Sequence, residues 1–221
     1  MRDGGEIVYG RRPVAEARRG RRRIHRIWTR ADVDDRELTR MAGAPDHQGI
    51  VAEVDPYPYA PATSVLAAED ALVLALDGVQ DPRNLGAICR SAEAAGAAGV
   101  VITARRAAQI TPAACKASAG AVEHLAVARV ANLVRWIEAA KEAGAWVYGA
   151  SADAPTRYTE VDLSSKSVIV LGAEGKGLRR LVAERCDGSL AIPLAGRVRS
   201  LNVAAAAAVL LFEAVRQRRA R

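Results

Sequence analysis

The sequence predicts an α/β protein in which helices cover both faces of a mostly parallel sheet. From residue 71 onward, short apolar runs of strand length alternate with segments of helical periodicity. Half of the residues are apolar, and only 4% are aromatic. Alanine supplies much of the apolar share, which favours close packing of helices on a modest sheet. A chain of 221 residues suffices for a small domain followed by a larger one.

Residues 1–54 are predicted to form a small basic α+β domain. We expect strands at 6–9, 24–29 and 50–54 and a short helix at 13–19. Fewer than about sixty residues form only a marginal core, so this unit should pack against a larger domain for stability. The following segment, 55–69, contains three prolines and predicts a linker of extended geometry.

Residues 70–221 are predicted to form the larger domain. Its expected strands are 71–76, 99–103, 125–130, 146–150, 168–171 and 190–193, and its expected helices are 85–95, 133–143 and 201–218. A further helix should begin at Pro112, because Thr111 is a favoured cap residue and proline is favoured at the first helical position.

Positive charge is concentrated at the start of the chain. The formal net charge is +7, and residues 1–30 hold ten arginines against three acidic residues. Guanidinium groups pair well with phosphate oxygens, so this segment is a candidate surface for binding a polyanion. A solvated basic face is the alternative.

The sequence gives no indication of a metal site or a membrane segment. Cys89, Cys115 and Cys186 are far apart and no histidines cluster, so a structural zinc site is not expected. Scattered thiols fit a reducing compartment. The start of the chain has no apolar stretch typical of a signal peptide, and the apolar run 203–212 is too short to span a bilayer. We therefore expect a cytoplasmic protein.

Three segments are not typical of regions that only build the fold. The first is DGVQDPRNLGAICR, residues 77–90, where a buried strand opens into a polar loop and then a helix. Ligands gather at such points in α/β sheets, because free backbone N–H groups point there. Asn84 and Arg90 are its notable side chains. The alternative readings are that Asn84 caps the helix and that Arg90 is a surface arginine.

The second segment is VIVLGAEGKGL, residues 168–178. Three glycines in six residues allow a tight turn and close approach to a ligand. The pattern is neither a P-loop nor a dinucleotide-binding fingerprint, which argues against a dinucleotide-dependent oxidoreductase. Glu174 within the turn is suggestive, because an acidic residue among glycines has little packing role.

The third segment is AIPLAGRVRSLNV, residues 191–203, which leads into an alanine-rich helix. Ser200 is predicted to be the N-cap of that helix. Asn202 would then not be needed for capping, which leaves its amide free for a ligand.

Taken together and in this order, the three segments resemble the motifs of the SpoU (TrmH-like) family of RNA 2′-O-methyltransferases. The matching features are an asparagine followed six residues later by arginine, the GxEGxGL turn, and the IPL-G-SLNVA segment. The resemblance covers residues 72–218. GEIVYGRRPV and HQGIVAEV also resemble the substrate-binding domain of the subgroup that methylates a guanosine of 23S rRNA.

The resemblance implies a SPOUT fold with a deep trefoil knot, a homodimer, a short L30e-like N-terminal domain, and S-adenosyl-L-methionine as cofactor. Two departures stand out: the stretch between Ile27 and His47 is shorter than usual, and Ala204 stands where many relatives have serine. Transferred by motif position, the cofactor contacts are Gly172, Ile192 and Leu201, and the catalytic or substrate positions are Asn84, Arg90, Glu174, Ser200 and Asn202.

The implied reaction is 2′-O-methylation of RNA, with rRNA favoured. Beside such a domain, the basic segment is expected to contact RNA, and the residues that we expect to do so are Arg11, Arg12, Arg22 and Arg23. The guanidinium of arginine keeps its proton near neutral pH, so it does not readily serve as a general base. We therefore expect Arg90 to bind a phosphate and to stabilise negative charge on the 2′-oxygen. In a dimer, Arg90 would act on the partner's site. The alternatives are a tRNA 2′-O-methyltransferase of the same family and a non-catalytic RNA-binding or ribosome-associated protein.

Overall fold

The computed structural model describes residues 5–220, so Arg2 of the basic segment and the terminal Arg221 lie outside the described part. The N-terminal unit has a three-stranded antiparallel sheet in the order β1-β3-β2. Its elements are β1 (Glu6–Tyr9), α1 (Arg11–Arg19), β2 (Ile24–Thr29), α2 (Asp35–Ala42) and β3 (Ile50–Val54). The three predicted strands and the helix α1 are confirmed.

The helix α2, half of whose residues are charged, was not predicted. Both ends of the helix are nevertheless capped in the structure. The Asp34 side chain accepts the Glu37 N–H, and Gly43 ends the helix in the left-handed conformation. Leu38 and Ala42 are buried on its inner face, so two apolar residues anchor a helix whose other face is polar.

The larger unit contains a six-stranded sheet in the order β6-β5-β4-β8-β7-β9, with every pairing parallel. The strands are β4 (Leu72–Asp77), β5 (Gly99–Thr103), β6 (Val127–Val130), β7 (Trp146–Ala150), β8 (Ser167–Gly172) and β9 (Gly188–Leu190). All six were predicted, but β9 lies earlier than the expected 190–193. Only an isolated bridge to Arg157 continues it at Ala191, and Pro193 has no N–H for a ladder.

Helices cover both faces of this sheet, as predicted. Alternate residues of β4 point to opposite sides: Leu72, Leu74 and Leu76 belong to one apolar core and Val73 and Ala75 to another. The first core contains residues of α3 (Pro82–Ala94), α4 (Pro112–Ala117) and α7 (Val203–Arg219), and the second contains residues of α5 (Leu133–Glu142) and α6 (Arg180–Ala183). Thr111 caps α4 by accepting the Ala114 N–H, as expected.

A buried ion pair joins the N-terminal unit to the larger one. The Arg22 guanidinium donates from Nε to Glu123 Oε2 at 3.0 Å, and its Nη2 donates to Glu123 Oε1. Both side chains are 1% exposed. Arg22 also donates to Glu6 at 3.1 Å and lies over the Tyr57 ring. The prediction that Arg22 contacts RNA is therefore wrong, because its guanidinium is enclosed between the two units.

The predicted linker 55–69 is packed along the larger unit. The Tyr57 hydroxyl donates to the Val122 carbonyl at 2.9 Å, and the Trp136 indole N–H donates to the Ala62 carbonyl at 3.0 Å. Val65 and Leu66 are buried in a short 3₁₀ turn. Within residues 5–220, no helix combines the length and apolar character required to cross a membrane.

Candidate active site

A cavity of about 1110 Å³ opens at the carboxyl ends of the parallel strands β7, β8 and β9. It is lined by residues 149–155, by the glycine-rich turn after β8, and by the segment between β9 and α7. The carboxyl edge is where open α/β sheets bind their ligands. Gly172, Ile192 and Leu201, the predicted cofactor contacts, all line this cavity.

The glycine-rich turn, residues 172–178, folds tightly back on itself. The Gly177 N–H donates to the Ala173 carbonyl at 2.9 Å, and Gly175 and Gly177 have φ of +72° and +64°. A Cβ on Gly172 would lie 2.1 Å from the Gly177 carbonyl carbon. Because no side chain fits there, glycine is required at this end of β8. The turn presents Glu174, which is exposed, toward the cavity.

Asn84, Glu174 and Asn202 meet beside the cavity, and we call them the polar cluster. Glu174 Oε1 accepts from the Asn84 side-chain amide at 2.8 Å and from the Asn202 side-chain amide at 2.9 Å. The Asn202 amide also donates to Asn84 Oδ1 at 3.1 Å. Glu174 Oε2 accepts no hydrogen bond from residues 5–220. This oxygen is therefore available to a bound molecule.

The capping roles of Asn84 and Asn202 are the reverse of those that the sequence suggested. Asp81 caps α3 by accepting the Arg83 N–H, so Asn84 is free to join the polar cluster. Asp81-Pro82 was the signal for that helix start. Conversely, Asn202 caps α7, its Oδ1 accepting the Ala204 N–H at 2.9 Å. The prediction that Ser200 is the N-cap is wrong, because the helix begins two residues later.

Ser200 thus lines the cavity without a capping bond. Asn202 serves both purposes at once: its side-chain oxygen caps the helix, and its side-chain nitrogen donates to the polar cluster.

Arg90 is the one predicted catalytic residue that does not reach this site. It is exposed, is not part of the cavity wall, and its side chain has no hydrogen bond or ion pair with any described residue. Within one chain, the structure does not bring Arg90 to the cavity.

Several lining residues were missed by the sequence analysis. Ser151 and Asp153 follow the carboxyl end of β7, a position that favours ligand contact, and Lys176 and Arg199 also line the cavity. Cys186 forms part of the wall, and burial raises the pKa of its thiol to about 11. The thiol is therefore neutral near pH 7 and contributes an apolar surface.

The basic N-terminal surface is only partly as predicted. Arg11, Arg12 and Arg23 are exposed, as RNA contacts must be, whereas Arg22 is not. Among the residues that the structure describes, no group of three histidine, cysteine, aspartate or glutamate side chains is placed to hold a metal ion.

Comparisons with known proteins agree with this geometry. The model of the SpoU rRNA Methylase family matches residues 71–212. YacO of Bacillus subtilis, assigned to the TrmH family of tRNA/rRNA methyltransferases, is 38% identical, and the match covers 96% of each chain.

Solved structures are similar over nearly the whole chain. The SpoU methyltransferase AviRb from Streptomyces viridochromogenes, in complex with the cofactor AdoMet, is 30% identical with a TM-score of 0.82. That match covers 99% of this chain and 92% of AviRb. An AdoMet-bound rRNA methyltransferase from Sinorhizobium meliloti is 27% identical with a TM-score of 0.84, covering 96% and 87%. The parallel sheet flanked by helices is thus of the SPOUT class, as predicted. The chain belongs to the SpoU rRNA methylase family.

Proposed function

We propose that the chain is an S-adenosylmethionine-dependent enzyme that methylates a ribose 2′-hydroxyl of RNA, with a guanosine of 23S rRNA as the favoured acceptor. The observation that carries the proposal is the polar cluster. Three residues from distant parts of the chain meet at one carboxylate oxygen beside a large cavity. A protein that only binds RNA has no use for this arrangement.

The cavity suits the proposed cofactor. Ile192 and Leu201 supply apolar surface, and Gly172, where the absence of a side chain lets the turn close on the Gly177 backbone, also lines the cavity. Ligand sites commonly combine apolar walls with a few polar groups that fix orientation. When bound, the cofactor supplies an electrophilic methyl group on a sulfonium.

The remaining requirement is positioning of the ribose oxygen, which can lower a barrier by roughly 7–11 kcal/mol in favourable cases. We assign this positioning to Ser200, Asn202 and the free oxygen of Glu174, all of which line the cavity. In this proposal water or a substrate phosphate takes the hydroxyl proton.

We assign Arg90 to the partner subunit's site. Its exposure and its lack of partners in one chain support an action across a homodimer. Val209 and Phe212, which are 37% and 51% exposed on α7, support an apolar dimer face. The homodimer and the knot implied by the family resemblance stay predictions, as does the cytoplasmic location expected from the cysteines and the missing signal peptide.

A direct experiment tests the proposed reaction. The protein is incubated with methyl-labelled S-adenosylmethionine and either 23S rRNA or total tRNA, and the modified nucleotide is mapped by mass spectrometry. The expected result is a 2′-O-methylguanosine in rRNA. Label in tRNA would favour the alternative substrate, and a base-methylated product would contradict the 2′-hydroxyl assignment.

The Asn84→Ala variant is the matched negative control and should be inactive. It removes one member of the polar cluster, and Asn84 itself is not part of the cavity wall. Absence of cofactor binding by calorimetry would leave only a non-catalytic RNA-binding role.

A further inference from the structure

The carboxylate of Asp77 is enclosed at the end of β4, and Arg179 provides its partners. Asp77 Oδ2 accepts the Arg179 backbone N–H at 2.8 Å, and Oδ1 accepts from the Arg179 Nε at 2.6 Å. Nη2 of the same guanidinium lies 2.6 Å from Oδ1. The Asp77 side chain is 0% exposed, whereas that of Arg179 is 64% exposed.

These two residues connect the two ends of the glycine-rich turn. In the register of β4 and β8, Asp77 lies opposite Gly172, where the turn begins. Arg179 directly follows Leu178, where the turn ends. The Asp77 carboxylate on β4 therefore binds the residue that follows the turn and lies beside the residue at which the turn begins. Glu174 lies between these two ends.

The same strand also leads to the rest of the polar cluster. β4 ends at Asp77, and the helix α3, which carries Asn84, begins five residues later at Pro82. Asp77 thus lies at the junction of the segment that supplies Asn84 and the segment that supplies Glu174.

Stability alone gives a weak reason for such a pair. Burying a carboxylate is costly, and an ion pair that is partly exposed repays little of that cost. A planar guanidinium fork, in contrast, fixes direction as well as distance. The arrangement is therefore better suited to holding a geometry than to strengthening the fold.

We propose that Asp77 and Arg179 are positioning residues, which hold the glycine-rich turn so that Glu174 and the cofactor surface keep their places. The part concerning the cofactor rests on the proposed function. Neither residue lines the cavity, so both act through the turn.

The test compares Arg179→Ala with Lys141→Ala. Lys141 makes a similar pair elsewhere in the same unit: its Nζ lies 2.6 Å from Asp187 Oδ1, and Asp187 Oδ2 accepts the Val147 N–H. Hydrogen–deuterium exchange of residues 173–178 is measured in the full chain without ligand. Binding of S-adenosylhomocysteine is measured by calorimetry.

For Arg179→Ala we expect faster exchange in the turn and binding weakened about ten- to a hundredfold, the range for lost charge-assisted hydrogen bonds. Arg179→Lys should recover part of both, and Lys141→Ala should change neither. A purely structural pair would instead lower the melting temperature in both alanine variants while leaving the affinity of the folded protein unchanged.

Two outcomes separate this proposal from the function on which it rests. If the natural protein does not bind the probe, the proposed function fails, and the exchange data alone decide whether the pair holds the turn. If the natural protein binds and Arg179→Ala matches Lys141→Ala in exchange and affinity, the positioning role is wrong. Should Arg179→Ala not fold, Asp77→Asn combined with Arg179→Gln removes both charges and takes its place.

Discussion

The side-chain amide of Asn84 donates a hydrogen bond of 2.8 Å to Glu174 Oε1, although the two residues are 90 positions apart. Replacing Asn84 by aspartate tests this contact with almost no change in shape. Two carboxylates would then face each other, and one of them would have to move or take up a proton.

We expect Asn84→Asp to lower methyl transfer roughly a hundredfold, the cost of a small misplacement at a reacting centre. Asn132, which caps α5, provides the control substitution to aspartate. Initial rates at saturating cofactor, with circular dichroism to confirm folding, measure the effect. Activity within a factor of two of the natural protein would show that the bond has no catalytic importance.

The two roles of Asn202 are separable by substitution. Asn202→Asp keeps an oxygen that can cap α7 but loses the amide donor to Glu174. Asn202→Ala loses both, and the missing cap should lower the free energy of unfolding by about 1 kcal/mol. We expect both variants to be inactive but only the alanine variant to be less stable in urea unfolding. An active aspartate variant would contradict the donor role.

Gly172 should not tolerate a side chain. The added methyl of Gly172→Ala would meet the backbone of Gly177 and Leu178, which cannot rotate aside, so the turn must open. We expect a stability loss of about 1–3 kcal/mol and cofactor affinity reduced beyond tenfold. Gly196→Ala is the control, because a Cβ there has no neighbour within 4 Å. Thermal unfolding and calorimetry give both quantities; unchanged affinity would exclude the turn from the cofactor site.

Arg22 and Arg23 are adjacent but should affect different properties. Arg22→Ala leaves the buried Glu123 carboxylate unpaired and should cost about 3–5 kcal/mol in the free energy of unfolding. Arg23→Ala should leave stability unchanged, weaken RNA binding and reduce its salt dependence by about one phosphate contact. Urea unfolding and filter binding at several salt concentrations distinguish them. RNA affinity independent of salt would contradict a phosphate contact.

Arg90 is expected to act across the dimer. Asn84→Ala and Arg90→Ala proteins should each be inactive alone. After mixing and refolding together, mixed dimers would contain one complete site, and about a quarter of the natural activity should return by random pairing. No recovery would mean that Arg90 acts within its own chain or not at all. Arg90→Lys with near-full activity would count against a bidentate grip on phosphate.

Local patterns predicted the parts of this structure that depend on neighbours in sequence. The run at Gly99–Thr103 and the Thr111-Pro112 helix start are examples, because strand propensity and capping act over a few residues. The choice between Ser200 and Asn202 as the cap was wrong for a different reason. Both residue types are favoured caps, and Asn202 also contacts Asn84 and Glu174, which are distant in the chain and not visible to a local pattern.

The burial of Arg22 could not be predicted from local sequence either. In the sequence it is one of several arginines in a row, and its burial is decided by Glu123, 101 residues away. The site residues themselves were identified through their combined resemblance to a family rather than from any one motif. Their meeting at a single carboxylate oxygen is a property of the folded chain.

The order of strands in the large sheet has a consequence for biosynthesis. β8 lies between β4 and β7, yet the ribosome makes it after both. A nascent chain that ends before Ser167 therefore has two apolar strands whose shared neighbour does not yet exist, and their open edges can pair with other chains. Newly made protein should be most prone to aggregation at this stage, and a chaperone that shields strand edges would act there.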